Sequence, residues 1–268
     1  MWQGWWANSG LKSRQWWSYD LRHSLPRCNT FRIRTWTLEA DRNSERCTAT
    51  ICAHSAPVAS LAFDPASKFV ISGSQDGTCR VWDLKGQVAS VSTISGHEGE
   101  LHSIARFTTS LVNPSSQATR VVTGGLDGQV KVWDARTGLP ILDLGGHRGL
   151  VGHILTVKVN GGEDTTLITA GVDEEIRAWD ISSTPRLRWT QKEAHVSDVS
   201  LVYSDGKSLI RGGVDNKVRV WETQTGRMFR RLGDKFDAVY RVACKEGGGE
   251  AYIVISQQGL SLSLDMYI

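Results

Sequence analysis

Short runs of alternating apolar and polar residues recur along this 268-residue chain, separated by clusters of Asp, Gly, Pro and Ser. A period of two sends successive side chains to opposite faces of a strand, so each run predicts a β-strand. VASLAF (58–63), KFVISG (68–73) and TCRVWDL (78–84) form one trio, divided by DPAS and QDG. Asp-Pro and Asp-Gly supply the preset or positive φ angles that reverse a chain. ELHSIARF, RVVTGG and QVKVWD repeat the trio, with TTSLVNPSSQAT inserted after the first strand. That insertion is polar and Pro-bearing, which predicts an exposed loop. No 3.6-residue helical pattern interrupts these units. No apolar run approaches the roughly 18–20 residues of a membrane-spanning helix.

The alternation is organised by a longer repeat. SGSQDGTCRVWD (72–83), TGGLDGQVKVWD (123–134), TAGVDEEIRAWD (169–180) and RGGVDNKVRVWE (211–222) align without gaps. Each holds an internal Asp, an alternating strand, and a Trp followed by an acid. Trp82, Trp133, Trp179 and Trp221 are spaced 51, 46 and 42 residues apart, and Trp36 precedes Trp82 by another 46. This period suits a four-stranded unit of roughly 40–45 residues plus loop insertions. His54, His97, His147 and His195 precede the four tryptophans by 28, 36, 32 and 26 residues, two of them as Gly-His.

Together these features resemble the WD40-repeat (transducin β-like) β-propeller family. The resemblance implies an all-β propeller in which His, Asp, Ser or Thr, and Trp join in a buried hydrogen-bonded tetrad within each blade. It places tetrads on His54, Ser72, Asp76 and Trp82; on His97, Thr123, Asp127 and Trp133; and on His147, Thr169, Asp173 and Trp179. The fourth unit has His195, Asp215 and Trp221, but Arg211 stands at the hydroxyl position, so its network is expected to be incomplete. Buried Asp and His are costly unless hydrogen-bonded, and Trp offers one donor on a large apolar face.

The pattern fades at both ends. DAVYRVACK, EAYIVISQQ and LSLSLDMYI read as three strands, and spacing puts Val254, Gln258 and Leu264 at the hydroxyl, Asp and Trp positions. Trp36 and CTATICA (47–53) read as the last two strands of a unit whose earlier strands are unrecognisable. Pro26 falls where a second strand is expected. Five to six blades are recognisable, and the two partial units are candidates to close a ring by pairing with each other. The family's usual seven leaves open a truncated propeller or a piece of a longer protein. The expected organisation is a Trp-rich basic extension over 1–30 and a propeller over 31–268. The extension has three readings: a loosely packed terminus, a transit peptide, or a segment that meets a membrane surface or nucleic acid.

Charge sharpens this division. Residues 1–34 carry Lys12, Arg14, Arg22, Arg27, Arg32 and Arg34 against Asp20 alone, while the rest has 25 basic and 27 acidic residues. The body is near neutral and gives no electrostatic case for nucleic-acid binding. RNA contact is expected only indirectly or through the basic N-terminus, and no membrane contact is expected. Five scattered cysteines (Cys28, Cys47, Cys52, Cys79, Cys244) form no CxxC pair. They point to a reducing compartment, cytoplasm or nucleus.

Catalytic, metal and cofactor residues are expected to be none. One His and one Asp per repeat serve the fold, and His102 and His153 lack further ligands. SDGKS (204–208) lacks the preceding Gly of a phosphate loop, because position 201 is Leu. The function expected is a protein-interaction scaffold, probed through the face carrying the turn residues. In the family the residue before the turn Asp lies there, which nominates Gln75, Leu126, Val172 and Val214, with Glu98, Arg148 and Val196 after the histidines as a rim. Partners are expected to be other proteins within a multi-subunit complex. The alternative is a subunit of an RNA-processing or ribosome-biogenesis assembly.

Overall fold

The computed structural model describes residues 4–6, 14–20, 31–38, 45–64, 68–85, 88–110, 117–158, 165–181, 185–192, 199–204, 207–213, 218–232, 238–244, 252–258 and 261–267. Among them every regular element is a β-strand, as the period-two pattern requires. The first sheet comprises β1 (Gly4–Trp6), β2 (Arg14–Asp20), β3 (Phe31–Leu38) and β4 (Glu45–His54). The second comprises β5 (Val58–Asp64), β6 (Phe69–Ser74), β7 (Cys79–Asp83) and β8 (Ala89–Ile94). The third holds β9 (Leu101–Ser110), β10 (Gln117–Gly125), β11 (Gln129–Asp134) and β12 (Pro140–Gly146). The fourth holds β13 (Val151–Lys158), β14 (Thr165–Gly171), β15 (Ile176–Asp180) and β16 (Arg186–Gln191). The fifth holds β17 (Val199–Ser204), β18 (Ser208–Gly213), β19 (Val218–Glu222) and β20 (Met228–Leu232). A sixth has β21 (Ala238–Cys244), β22 (Tyr252–Gln258) and β23 (Ser261–Tyr267). The chain groups into two units, Met1–Thr123 with Val132–Ile141, and Gly124–Lys131 with Leu142–Ile268.

Every sheet is made of strands consecutive in sequence. The first sheet therefore takes its two missing strands from the Trp-rich segment, not from the far end of the chain. In the β2–β3 register Trp16 pairs with Trp36 and Ser18 with Arg34. Pro26 lies outside the described residues, and β2 ends at Asp20, before it. A ladder strand needs its backbone N–H groups, which is why β2 lies upstream of that proline.

A common register identifies the sheets as repeats of one device. The outer strand bulges where it meets the repeated Trp: the step from Val81 to Trp82 faces Ser92 to Ser90, and equivalent shifts occur at Trp179 and Trp221. Another bulge sits at the start of the first strand of the second, fourth and fifth sheets, between Val58 and Ser60, Val151 and His153, and Val199 and Leu201. The sixth sheet repeats it between Val239 and Arg241. Bulges bend and twist a strand, so matching bulges give matching sheets. This register also corrects one reading. Trp82 pairs with Val70, two residues before Ser72; the counterpart of Val70 is Tyr252, and it pairs with Tyr267, not Leu264. Val254 faces Asp265, 11 residues on, where Ser72 faces Arg80, 8 residues on, so the β22–β23 hairpin is longer than its counterpart and this displaces the spacing.

Burial follows position within a sheet. β6 and β14 are buried at every residue, being covered on both faces, whereas β8, β12 and β16 are largely open. Within the first unit, Ile33, Ile51, Val58, Val70 and Trp82 form one core, and Phe69, Ile71, Val81, Ile94, Leu101, Ile104, Val121 and Trp133 form another. Within the second, Val157, Ile168, Ile176, Ala178, Leu209 and Trp221 pack together. In each core the repeated Trp of one sheet fills the space against the sheet before it. A polar tie accompanies the apolar one: Thr119 Oγ1 donates to the buried carboxylate of Asp64 at 2.8 Å. Thr119→Val removes that donor while keeping the shape. It should lower the unfolding free energy by about 1–3 kcal/mol in urea titration.

Candidate functional site

β4 ends at His54, which reaches the second sheet. There the β6–β7 turn carries Asp76, β6 carries Ser72, and β7 carries Trp82. His54 Nε2 lies 2.8 Å from Ser72 Oγ and Nδ1 lies 2.9 Å from Asp76 Oδ2, while Trp82 Nε1 donates to Ser72 Oγ at 2.9 Å. The fourth sheet builds the same cluster. His147 Nε2 lies 2.9 Å from Thr169 Oγ1, Nδ1 lies 2.8 Å from Asp173 Oδ1, and Trp179 Nε1 donates to Thr169 Oγ1 at 3.1 Å. In the third sheet Thr123 Oγ1 takes Trp133 Nε1 at 2.7 Å and lies 2.7 Å from His97 Nε2. Asp127 accepts the Gln129 amide at 3.1 Å across its turn. His195 and Asp215 lie outside the described residues; Arg211 and Trp221 are buried in the fifth sheet.

Donor chemistry allows one consistent protonation. Nδ1 of His54 and of His147 faces an ionised carboxylate, which can only accept, so Nδ1 carries the proton and donates. In the neutral ring Nε2 is then bare and accepts from the hydroxyl, whose oxygen in turn accepts the indole N–H. For Ser72 the competing acceptor, the Arg80 carbonyl, is farther away at 3.4 Å. Burial pushes His54 and His147 below the ordinary imidazole value, outweighing the attraction of Asp76 and Asp173. Burial works to raise the Asp76 carboxyl, but the Thr78 hydroxyl, His54, and the amides of Ser55 and Thr78 hold it at about 2. Asp173 is lowered likewise, with burial opposed first by the Arg148 amide and His147. Gly171 must be glycine, because a Cβ there would lie 2.8 Å from both Asp173 Oδ1 and His147 Nδ1.

Serine, histidine and aspartate linked in this order have the connectivity of a hydrolytic triad. A nucleophile, however, must reach its substrate. Ser72, Thr123 and Thr169 are fully buried and each has a Trp N–H on its oxygen. The geometry therefore fastens strands.

The face residues separate by exposure. Leu126 and Val172 are 53% and 41% exposed, Glu98 and Arg148 are exposed, and Gln75 is half-buried; Val214 and Val196 lie outside the described residues. The Arg148 amide donates to Asp173 at 3.0 Å, as the Ser55 amide does to Asp76. The carboxylates thus fix the loop as well as the ring. Sequence reasoning missed Glu175 and Arg177. Glu175 is buried, takes Arg177 Nη2 at 2.9 Å and Arg148 Nη2 at 3.2 Å, and so braces the same loop. The signal was a basic residue four places after every turn Asp, at Arg80, Lys131, Arg177 and Arg219. His102 lies 3.2 Å from Glu100.

Comparison with known proteins adds independent weight. The WD domain, G-beta repeat family matches residues 45–83, 89–134 and 186–222. Each match joins the outer strand of one sheet to three strands of the next. A nuclear distribution protein PAC1 of Candida tropicalis is 36% identical over 101 residues, 30% of this chain and 21% of that protein. A guanine nucleotide-binding protein subunit beta of Oryza sativa is 38% identical over 86 residues, 32% of this chain and 20% of that one. The ribosome biogenesis protein YTM1 of Chaetomium thermophilum is 35% identical over 125 residues, 40% and 24%. The chain thus spans about a quarter or less of each of these curated relatives. The computationally designed Ika8 protein shares the fold, with a TM-score of 0.71 at 22% identity over 94% of this chain and 67% of its own.

Two outcomes test the clusters. Thr169→Val leaves Trp179 N–H and His147 Nε2 facing a methyl group, and should cost about 1–3 kcal/mol in chemical denaturation. Because His54 and His147 bind protons more weakly folded than unfolded, stability is fully present above pH 6.5 and falls on acidification below it. A second loss should begin below 3.8 as Asp76, held at about 2, is outcompeted by the unfolded chain. His54→Gln with His147→Gln should flatten the first loss in thermal melts recorded across pH. The segment between the matched repeats builds the same cluster as the repeats themselves, and the chain carries WD40 repeats at the three matched positions.

Proposed function

We propose that this chain is a non-catalytic scaffold that holds partner proteins within a multi-subunit complex, through the loop face bearing Leu126 and Val172. WD40 domains generally serve as protein-interaction scaffolds. The observation that carries the finer reading is the exposure of these two apolar side chains at equivalent turn positions, each immediately before its turn Asp. Exposed apolar groups beside exposed charge, here Arg148, are the composition of protein interfaces. The hydrogen-bonded turns supply rigidity, which lowers the ordering cost of binding. Burial of the cluster hydroxyls supports the non-catalytic reading. An intracellular setting, cytoplasm or nucleus, fits the free thiols of Cys52 and the buried Cys79, whose pKa burial drives up.

A subunit of an RNA-processing or ribosome-biogenesis assembly is the second reading, favoured by the similarity to the ribosome biogenesis protein and by the basic N-terminus. Leu126→Asp with Val172→Asp should abolish co-purification of partners at unchanged thermal stability; full retention would overturn the first reading. Lys12→Gln, Arg22→Gln and Arg27→Gln should abolish salt-dependent RNA retention if the second holds. Charge neutralisation replaces deletion here, since β1 and β2 belong to the first sheet.

A further inference from the structure

The outer strand of the fifth sheet carries a surface of a different kind. β20 begins with Met228 and Phe229, 43% and 55% exposed, and Arg227, Arg230 and Arg231 around them are exposed as well. Phe229 is the residue left unpaired by the bulge, since Trp221 pairs with Met228 and Val220 with Arg230. β20 lies at the end of its sheet's strand order, so one edge of its backbone has no partner strand in that sheet.

The equivalent strand in the fourth sheet shows what is unusual. There Arg186 and Arg188 both turn to one carboxylate, with Arg188 Nη2 3.0 Å and Arg186 Nε 3.6 Å from Asp180 Oδ2. In the fifth sheet the matching acid is Glu222, and its Oε2 accepts instead from Thr225 Oγ1 at 2.5 Å. Among the described residues, no carboxylate forms an ion pair with Arg227, Arg230 or Arg231. Lys207, just before β18, is exposed and adds a further positive charge to this sheet.

The strand is also firmly mounted. Trp189 Nε1 donates to the Thr223 carbonyl at 3.1 Å, and Gln191 Nε2 donates to the Gly226 carbonyl at 2.8 Å. Gly226 has φ +71°, and a Cβ there would come within 2.6 Å of the Trp189 ring. The turn that launches β20 is therefore held in one conformation before anything binds.

We infer that β20 is a second docking surface, for an acidic peptide segment that alternates carboxylates with apolar side chains. Three arginines call for carboxylates, Met228 and Phe229 call for apolar contacts, and the free strand edge offers backbone groups that only another polypeptide can match. Its residues differ from Leu126 and Val172, so the two surfaces stand or fall separately.

The test uses the full chain and a short fluorescein-labelled peptide alternating Glu with Leu and Phe, followed by fluorescence anisotropy. Saturable binding is expected, weakened at least about tenfold by Arg230→Glu with Arg231→Glu and by Phe229→Ser. Leu126→Asp with Val172→Asp should leave it unchanged. The same peptide with Lys in place of Glu should not bind the unaltered chain, which keeps the test decisive if a variant misfolds. Equal affinity of the variants or of the Lys peptide overturns the proposal. So does binding of single-stranded oligonucleotide or phosphatidylserine vesicles in place of the peptide.

Discussion

The structure depends on a hydroxyl oxygen that accepts an indole N–H and donates to a histidine. In β6 this is Ser72, in β10 Thr123 and in β14 Thr169, each fully buried. A buried polar atom with a missing partner costs more than a formed hydrogen bond returns, so such a network has to be complete. Its polarity is also fixed. Trp can only donate and an ionised Asp can only accept, which leaves the hydroxyl and the imidazole a single way to relay between them. One short chain of donors thus ties two strands of a sheet, the turn between them and the segment arriving from the sheet before.

The same constraint shapes the surface. Because Asp76 and Asp173 grip the amides after the histidine as well as the ring, the turn and the incoming loop are held together. The residue before each Asp is then carried at the apex of a fixed turn, and where it is Leu126 or Val172 the apolar side chain stays open to solvent. Fold residues and the residues proposed to meet a partner are neighbours in sequence yet physically distinct: the first are buried and satisfied, the second exposed. The hydroxyl that resembles a nucleophile belongs to the first group.

The all-β class and the family were legible because a period of two and a repeated Trp survive in four aligned segments. The cluster positions could be read from spacing because the turn between hydroxyl and Trp keeps one length in those segments. Where that length changes, spacing misleads: the longer β22–β23 hairpin moves the Trp position from Leu264 to Tyr267. The long connection between β2 and β3 likewise hid Ser18, whose register with respect to Trp16 and Trp36 matches that of Ser72 with respect to Val70 and Trp82. Contacts between distant segments, such as Thr119 with Asp64 and Trp189 with Gly226, leave no local pattern at all. The arginines of β20 read in sequence as an ordinary charged stretch; only comparison with Arg186, Arg188 and Asp180 distinguishes them.

The directed network makes a definite statement about proton positions, and nitrogen-15 NMR of the imidazole rings reads those positions directly. At neutral pH His54 and His147 should both be uncharged, with the proton on Nδ1 and a bare Nε2. A proton on Nε2, or an imidazolium at either ring, would contradict the relay from Trp through hydroxyl and histidine to carboxylate.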